Sequence, residues 1–226
     1  MPTAAPRFSV DTLKFLRALK RNNRREWFNA HREDYEAHVR QPMTTIVERL
    51  ADDFRAFAPE LVASPKLSMY RIYRDTRFSE NKTPYKTHVA AVFPTRGLLK
   101  HQGAGVYFHV SPDELWIGGG MYAPDTSQLH AVREHIAAHP RQFRAIVESP
   151  AFRRHVTLGG EKLQRVPRGF PKGHAAGEYL KFRQFIAGAE FPGSFATAPK
   201  FYTSVLSVFR RVLPLVRFLN EPLLKG

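Results

Sequence analysis

The sequence predicts an α+β fold in which an antiparallel or mixed central sheet carries an N-terminal helical segment and further helices. Three observations lead there. Apolar residues recur at three- and four-residue spacing as far as Phe57. Between Met69 and Gly118 they fall into short β-branched and aromatic runs bounded by Pro, Gly, Asn and Asp, and helical spacing returns from Leu129. The chain has 226 residues, of which 43% are hydrophobic and 12% aromatic, enough for a core without covalent staples. A single domain over residues 8–220 is expected, with a flexible tail at 1–7.

Ser9 is placed to cap a helix over 10–21, with Asp11 in its first turn and Leu13, Phe15, Leu16 and Leu19 on its apolar side. Asn22-Asn23 supplies turn chemistry, and Trp27, Phe28, His31 and Tyr35 then recur at helical spacing, giving a second helix near 24–39 with Trp27 and Phe28 as core anchors. Pro42 opens a third, whose Ile46, Val47, Leu50, Phe54 and Phe57 run to the stop at Pro59. Strands are expected at Met69–Arg74, Thr87–Phe93, Gly105–Ser111 and Glu114–Gly118, with a hairpin turn at Ser111–Glu114. In the third of these, Val106, Phe108 and Val110 alternate with Tyr107, His109 and Ser111, so one face is core and the other carries functional groups. Gly118-Gly119-Gly120 fits a bulge or a close approach of backbones. It departs from both G-x-G-x-x-G and the P-loop pattern. Asp125 or Thr126 caps a helix carrying Leu129, Val132 and Ile136, and Pro140 opens another through Val147. Residues 158–177 read as a long basic loop whose Lys162, Arg165, Arg168, Lys172 and His174 suit a rim or lid. A last helix carries Phe201, Val205, Val208, Phe209 and Val212, and Pro214 should kink or interrupt it.

Lys and Arg number 35 against 20 Asp and Glu, a net charge of +15, which favours anionic partners. The absence of cysteine excludes disulfides, thiolate zinc sites, iron–sulfur clusters and cysteine nucleophiles. No apolar run reaches the ~18 residues of a membrane span and Met1–Phe8 lacks an apolar signal region, so a cytoplasmic protein without a transmembrane segment is expected.

The densest chemistry lies between Arg71 and His88. Arg71, Arg74, Arg77, Lys82 and Lys86 could clamp a phosphate or carboxylate, with Ser79 and Tyr85 orienting it and Tyr107 adjoining. His88 and His109, on neighbouring predicted strands, are the candidates for proton transfer. The leading reading is therefore a basic pocket for a small anionic molecule, with catalysis left open. Two others stand beside it: a nucleic-acid module that stacks bases on Tyr73, Phe78 or Tyr85, and a partner-binding or scaffold domain with an ordinary basic surface. With no H-E-x-x-H pair and no G-x-S-x-G, neither a metal site nor a hydrolase elbow is expected, and no cofactor or oligomeric state is indicated.

The order of four motifs adds to this. Phe8-Ser9 with Thr12-Leu13, Asn22-Asn23-x-Arg25-Glu26-Trp27-Phe28, Arg74-Asp75-x-Arg77-Phe78-Ser79-x-x-Lys82-Thr83-Pro84-Tyr85-Lys86-Thr87, and Gly118-Gly119-Gly120 before Pro124 together resemble the microbial family called domain of unknown function 2461, over residues 8 to 220. Tyr122 and Asp11 depart from the residues common there but keep their chemical type. The resemblance implies a single α+β domain and brings no reaction, cofactor or catalytic residue with it.

Overall fold

The computed structural model describes residues 5–98, 100 and 102–224. Met1–Ala4 of the expected tail lie outside the described residues, and Ala5–Arg7 lead to Phe8, whose N–H donates to the Ala196 carbonyl. Five antiparallel strands form one sheet in the order β1-β2-β3-β5-β4: β1 Val89–Pro94, β2 Gly105–Val110, β3 Glu114–Met121, β4 Thr157–Gly159 and β5 Phe185–Pro192.

The N-terminal helices follow the predicted phases. α1 (Val10–Arg21) is capped by Ser9, as expected, and α2 (Arg25–Ala30) ends where His31 leaves helical geometry and sets its Nδ1 2.8 Å from the Trp27 carbonyl. The second expected helix is thus broken at His31. Its remainder, α3 (Arg32–Tyr35), runs through a π turn at Glu36–Arg40 into α4 (Gln41–Phe57). Pro42 has no N–H for the His38 carbonyl four residues back, and the Thr12 hydroxyl donates to that carbonyl instead, at 2.5 Å. Pro42 is therefore accommodated within a continuous helix, and α1 is fastened to it. Phe28 is buried as expected, but Trp27 is only half-buried, stacked on His31 at 4.1 Å at the edge of the core.

The expected strand at Met69–Arg74 is absent. Only isolated bridges, Met69 to Ala91 and Tyr73 to Tyr85, form beside β1, because the segment bends after a short helix α5 (Pro65–Ser68) and Asn81 and Pro84 break up the partner side. β3 continues through the three glycines to Met121, longer than predicted.

α6 (Thr126–Ala138), capped by Asp125, and α7 (Pro140–Val147) stand where predicted; short turns α8 (Pro150–Arg153) and α9 (Gly177–Leu180) follow. α10 (Phe201–Leu224) runs without interruption through Pro214, which lies on its exposed side, where water can take the carbonyl that proline frees.

The odd-numbered residues of β1 and the even-numbered residues of β2 face the helices. Phe93 and Phe108 meet Phe209 of α10 at 5.9 and 6.5 Å, and Phe54 of α4 completes the group. Burying one such ring contributes on the order of 2–3 kcal/mol. With helices on this face, the opposite face of the sheet is left for the site.

Candidate functional site

On that opposite face, period-two alternation brings selected residues of several strands together. His88 and Ala90 precede and enter β1, Tyr107 and His109 lie on β2, and Glu114 and Trp116 on β3, with Ala90, His109 and Trp116 in cross-strand register. They line a cavity of about 750 Å³, within the range of small-molecule sites. Tyr70 and Lys86 close it beside β1, and Lys100, Gln102 and Gly103 contribute from the β1–β2 connection.

The cationic end is built around one ring. The ammonium groups of Lys86 and Lys100 lie 5.1 and 4.4 Å from the centre of Tyr70. Lys86 donates to the Arg71 carbonyl at 3.0 Å, and Lys100 to the carbonyls of Ser68 and Met69 at 3.4 and 3.5 Å. Among the described residues neither ammonium pairs with a carboxylate. Both pKa values are lowered, first by burial, then for Lys86 by Arg71 and for Lys100 by Lys86.

Further in, the rings of His88 and His109 are 5.4 Å apart. Burial, followed by His109 and Lys86, brings His88 down to about 4, so it is neutral at pH 7. Burial also lowers His109, against the opposing pull of Glu114, whose Oε1 is 3.4 Å from His109 Nε2. Burial raises the pKa of Tyr70 and Tyr107, which stay neutral phenols able to donate hydrogen bonds. Among the described residues no three His, Asp or Glu side chains lie close enough to share a metal ion.

Of the residues singled out in the sequence, Lys86, His88, Tyr107 and His109 are in this wall. The others are engaged elsewhere. Arg74 donates to Thr83 Oγ1 at 2.7 Å and Ser79 Oγ at 3.3 Å, and Lys82 to the Thr76 carbonyl at 3.0 Å, so all three brace their own loop. Arg77 forks onto Asp75 at 3.0 and 2.7 Å, and these bonds take the Asp75 carboxyl down to about 2. Arg71 acts on the cavity through its carbonyl and its charge alone. Tyr85 faces the opposite way from Lys86: its ring is buried on Phe28 at 4.2 Å, and Asn23 locks its backbone, donating to its carbonyl at 2.9 Å and accepting from its N–H at 3.0 Å. The Asn22-Asn23 and Thr83–Lys86 motifs thus meet in space, and that meeting sets the phase that aims Lys86 and His88 inward. Phe78, at 94% exposure, and Tyr73 are left on the surface for stacking on a base; Tyr85 is not. The Lys162–His174 loop lies away from the cavity, with Lys162 over the Phe182 ring at 4.3 Å.

Sequence reasoning missed Trp116, Tyr70 and Lys100. Extending the β2 alternation across the turn to β3 would have placed Trp116 opposite His109. Tyr70 and Lys100 lie outside regular strands, where no period marks them.

Two of the three glycines, Gly118 and Gly120, lie on this face, and Gly119 faces Val212 of α10 on the other. Gly120 holds a φ of +131°, and a Cβ there would lie 3.0 Å from the Phe185 carbonyl carbon, against the backbone of β5. Close backbone approach is what this run of β3 requires.

No curated protein and no solved structure matches the chain. Among the described residues no helix is long and apolar enough to cross a membrane. Residues 11–218, which include every strand and the whole cavity wall, match the family described as conserved hypothetical protein, DUF2461, and the chain belongs to that family.

Proposed function

We propose that the cavity binds a small phosphorylated or carboxylated molecule, with Lys86 and Lys100 as its countercharges. The observation that carries this reading is the pair of half-buried ammonium groups on one aromatic ring, without a described carboxylate partner, at the side of a cavity large enough for a metabolite. Such charges are costly to desolvate unless an opposite charge meets them, and a bound anion meets both at once. The concave shape and mostly apolar lining suit a small ligand better than a nucleic acid, which tracks an extended basic groove.

Lys86→Met should weaken binding of a phosphate monoester by about 10- to 150-fold, the worth of one charge-assisted bond. Arg77→Met, on the surface pair with Asp75, should leave it unchanged. Titration calorimetry over phosphate monoesters, dicarboxylates and a single-stranded oligonucleotide checks this. Binding of the oligonucleotide alone, steeply weakened by salt and indifferent to Lys86→Met, would replace the pocket by a nucleic-acid surface.

The contact between His109 and Glu114 favours a further role: His109, positioned by Glu114, with His88 beside it, exchanges a proton with the ligand. Both histidines have pKa values below the ordinary 6.5. An anion alongside stabilises the protonated form and raises those values, so the complex binds more protons than the free protein. Affinity for a sulfonate, whose own charge is fixed, should therefore increase as pH falls from 7 toward 5, with proton uptake measured by calorimetry in buffers of different ionisation enthalpy. Uptake that survives in the double variant His88→Gln/His109→Gln would remove the histidines from the site.

A further inference from the structure

Trp116 lies flat across the sheet. The six-membered part of its indole sits over Gly118, two residues ahead on β3, and over Gly188, the cross-strand partner of Gly118 on β5. A Cβ on Gly118 would come within 2.5 Å of Trp116 Cη2, and one on Gly188 within 2.8 Å of Cε2. Glycine is unfavourable in strand interiors, yet here two face each other beneath one ring. The half-buried indole lines the cavity, and Tyr107 stands beside it, 5.9 Å away and tilted by 48°.

Charge is also divided across the strands. Lys86 and Lys100 lie at the β1 edge, whereas Glu114 shares the face of β3 with Trp116. Two strand spacings, about 10 Å, separate β1 from β3. A carboxylate across the face from the two lysines repels a purely anionic molecule and accepts from a ring N–H or amino group.

Resting on the anion site proposed above, we infer that the ligand is a planar nitrogen heterocycle joined by a short spacer to its phosphate or carboxylate, the ring stacking on Trp116 with its polar edge toward Glu114. Gly118 and Gly188 leave the space in which the indole lies down as a platform, and the cationic end fixes the other end of the molecule.

The chain has two tryptophans, so Trp27→Phe leaves Trp116 as the sole indole reporter. Adenosine and uridine 5′-monophosphates should quench it and bind about tenfold or more tighter than ribose 5-phosphate, as stacking on an aromatic side chain supplies. Trp116→Leu should bring the nucleotides down to the affinity of ribose 5-phosphate and leave ribose 5-phosphate itself unchanged, and Glu114→Gln should weaken the nucleotides alone. Equal affinity for nucleotides and ribose 5-phosphate, without quenching in the Trp27→Phe protein, would reduce Trp116 to a cover over two glycines and overturn this inference while leaving the anion site standing. Binding of none of these, nor of any phosphate or carboxylate, would overturn both.

Discussion

Gly120→Ala is expected to destabilise the protein by about 4 kcal/mol, the sum of backbone strain and overpacking. The φ of +131° lies where a side chain strains the backbone, and the added Cβ has no room: the carbonyl of Phe185 is in contact and Ile186 Cα is 3.1 Å away, both main-chain atoms of β5. Neither can turn aside as a side chain would, so the β3–β5 pairing itself must shift. Gly169 separates the two causes. It also has positive φ, +93°, but nothing lies within 4 Å of its would-be Cβ, so Gly169→Ala should cost about 1 kcal/mol. Urea unfolding of both variants is the measurement; equal losses would show that backbone strain alone acts at Gly120.

Asn220→Ala should cost about 3 kcal/mol, because it strands several buried polar groups at once. Asn220, 1% exposed on α10, donates to Thr95 Oγ1 at 2.8 Å and to the Ala104 carbonyl at 2.9 Å and accepts from the Ala104 N–H at 2.6 Å. Thr95 and Ala104 are the two ends of the connection that carries Lys100, so one amide on the far side of the sheet closes the loop beside the cavity. The amides of 95–98 and 102–104 should then exchange with solvent faster in the variant than in the parent, with those of β2 less affected. Loss of stability with unchanged protection of that connection would show that Asn220 supports only α10.

The alternating pattern of β2 was readable because the period of a strand is local: Val106, Phe108 and Val110 point to the core and Tyr107 and His109 to the cavity in the sequence as in the fold. The same rule applied from Val89 backward selects His88 and Lys86. The Arg74–Lys82 loop was opaque for the opposite reason, since an irregular backbone lets each charged group take the nearest partner, as Arg77 does with Asp75 two residues away. β5 escaped notice because Ala187, Gly188 and Ala189 are poor strand formers. The absence of a side chain at Gly188 answers to Trp116 and to the Ile117 carbonyl of the strand beside it, a tertiary demand that no window of sequence contains.

The two hydrogen bonds between Asn23 and Tyr85 join positions 62 residues apart. Helices α1 and α4 are made of local contacts, whereas this clasp closes a long span of chain, and such closure carries the larger entropic cost. Lys86 and His88 follow the clasp directly. A ligand held by Lys86 and His88 therefore adds, by binding the folded state, to the stability of a contact that spans 62 residues as well as to that of the cavity itself.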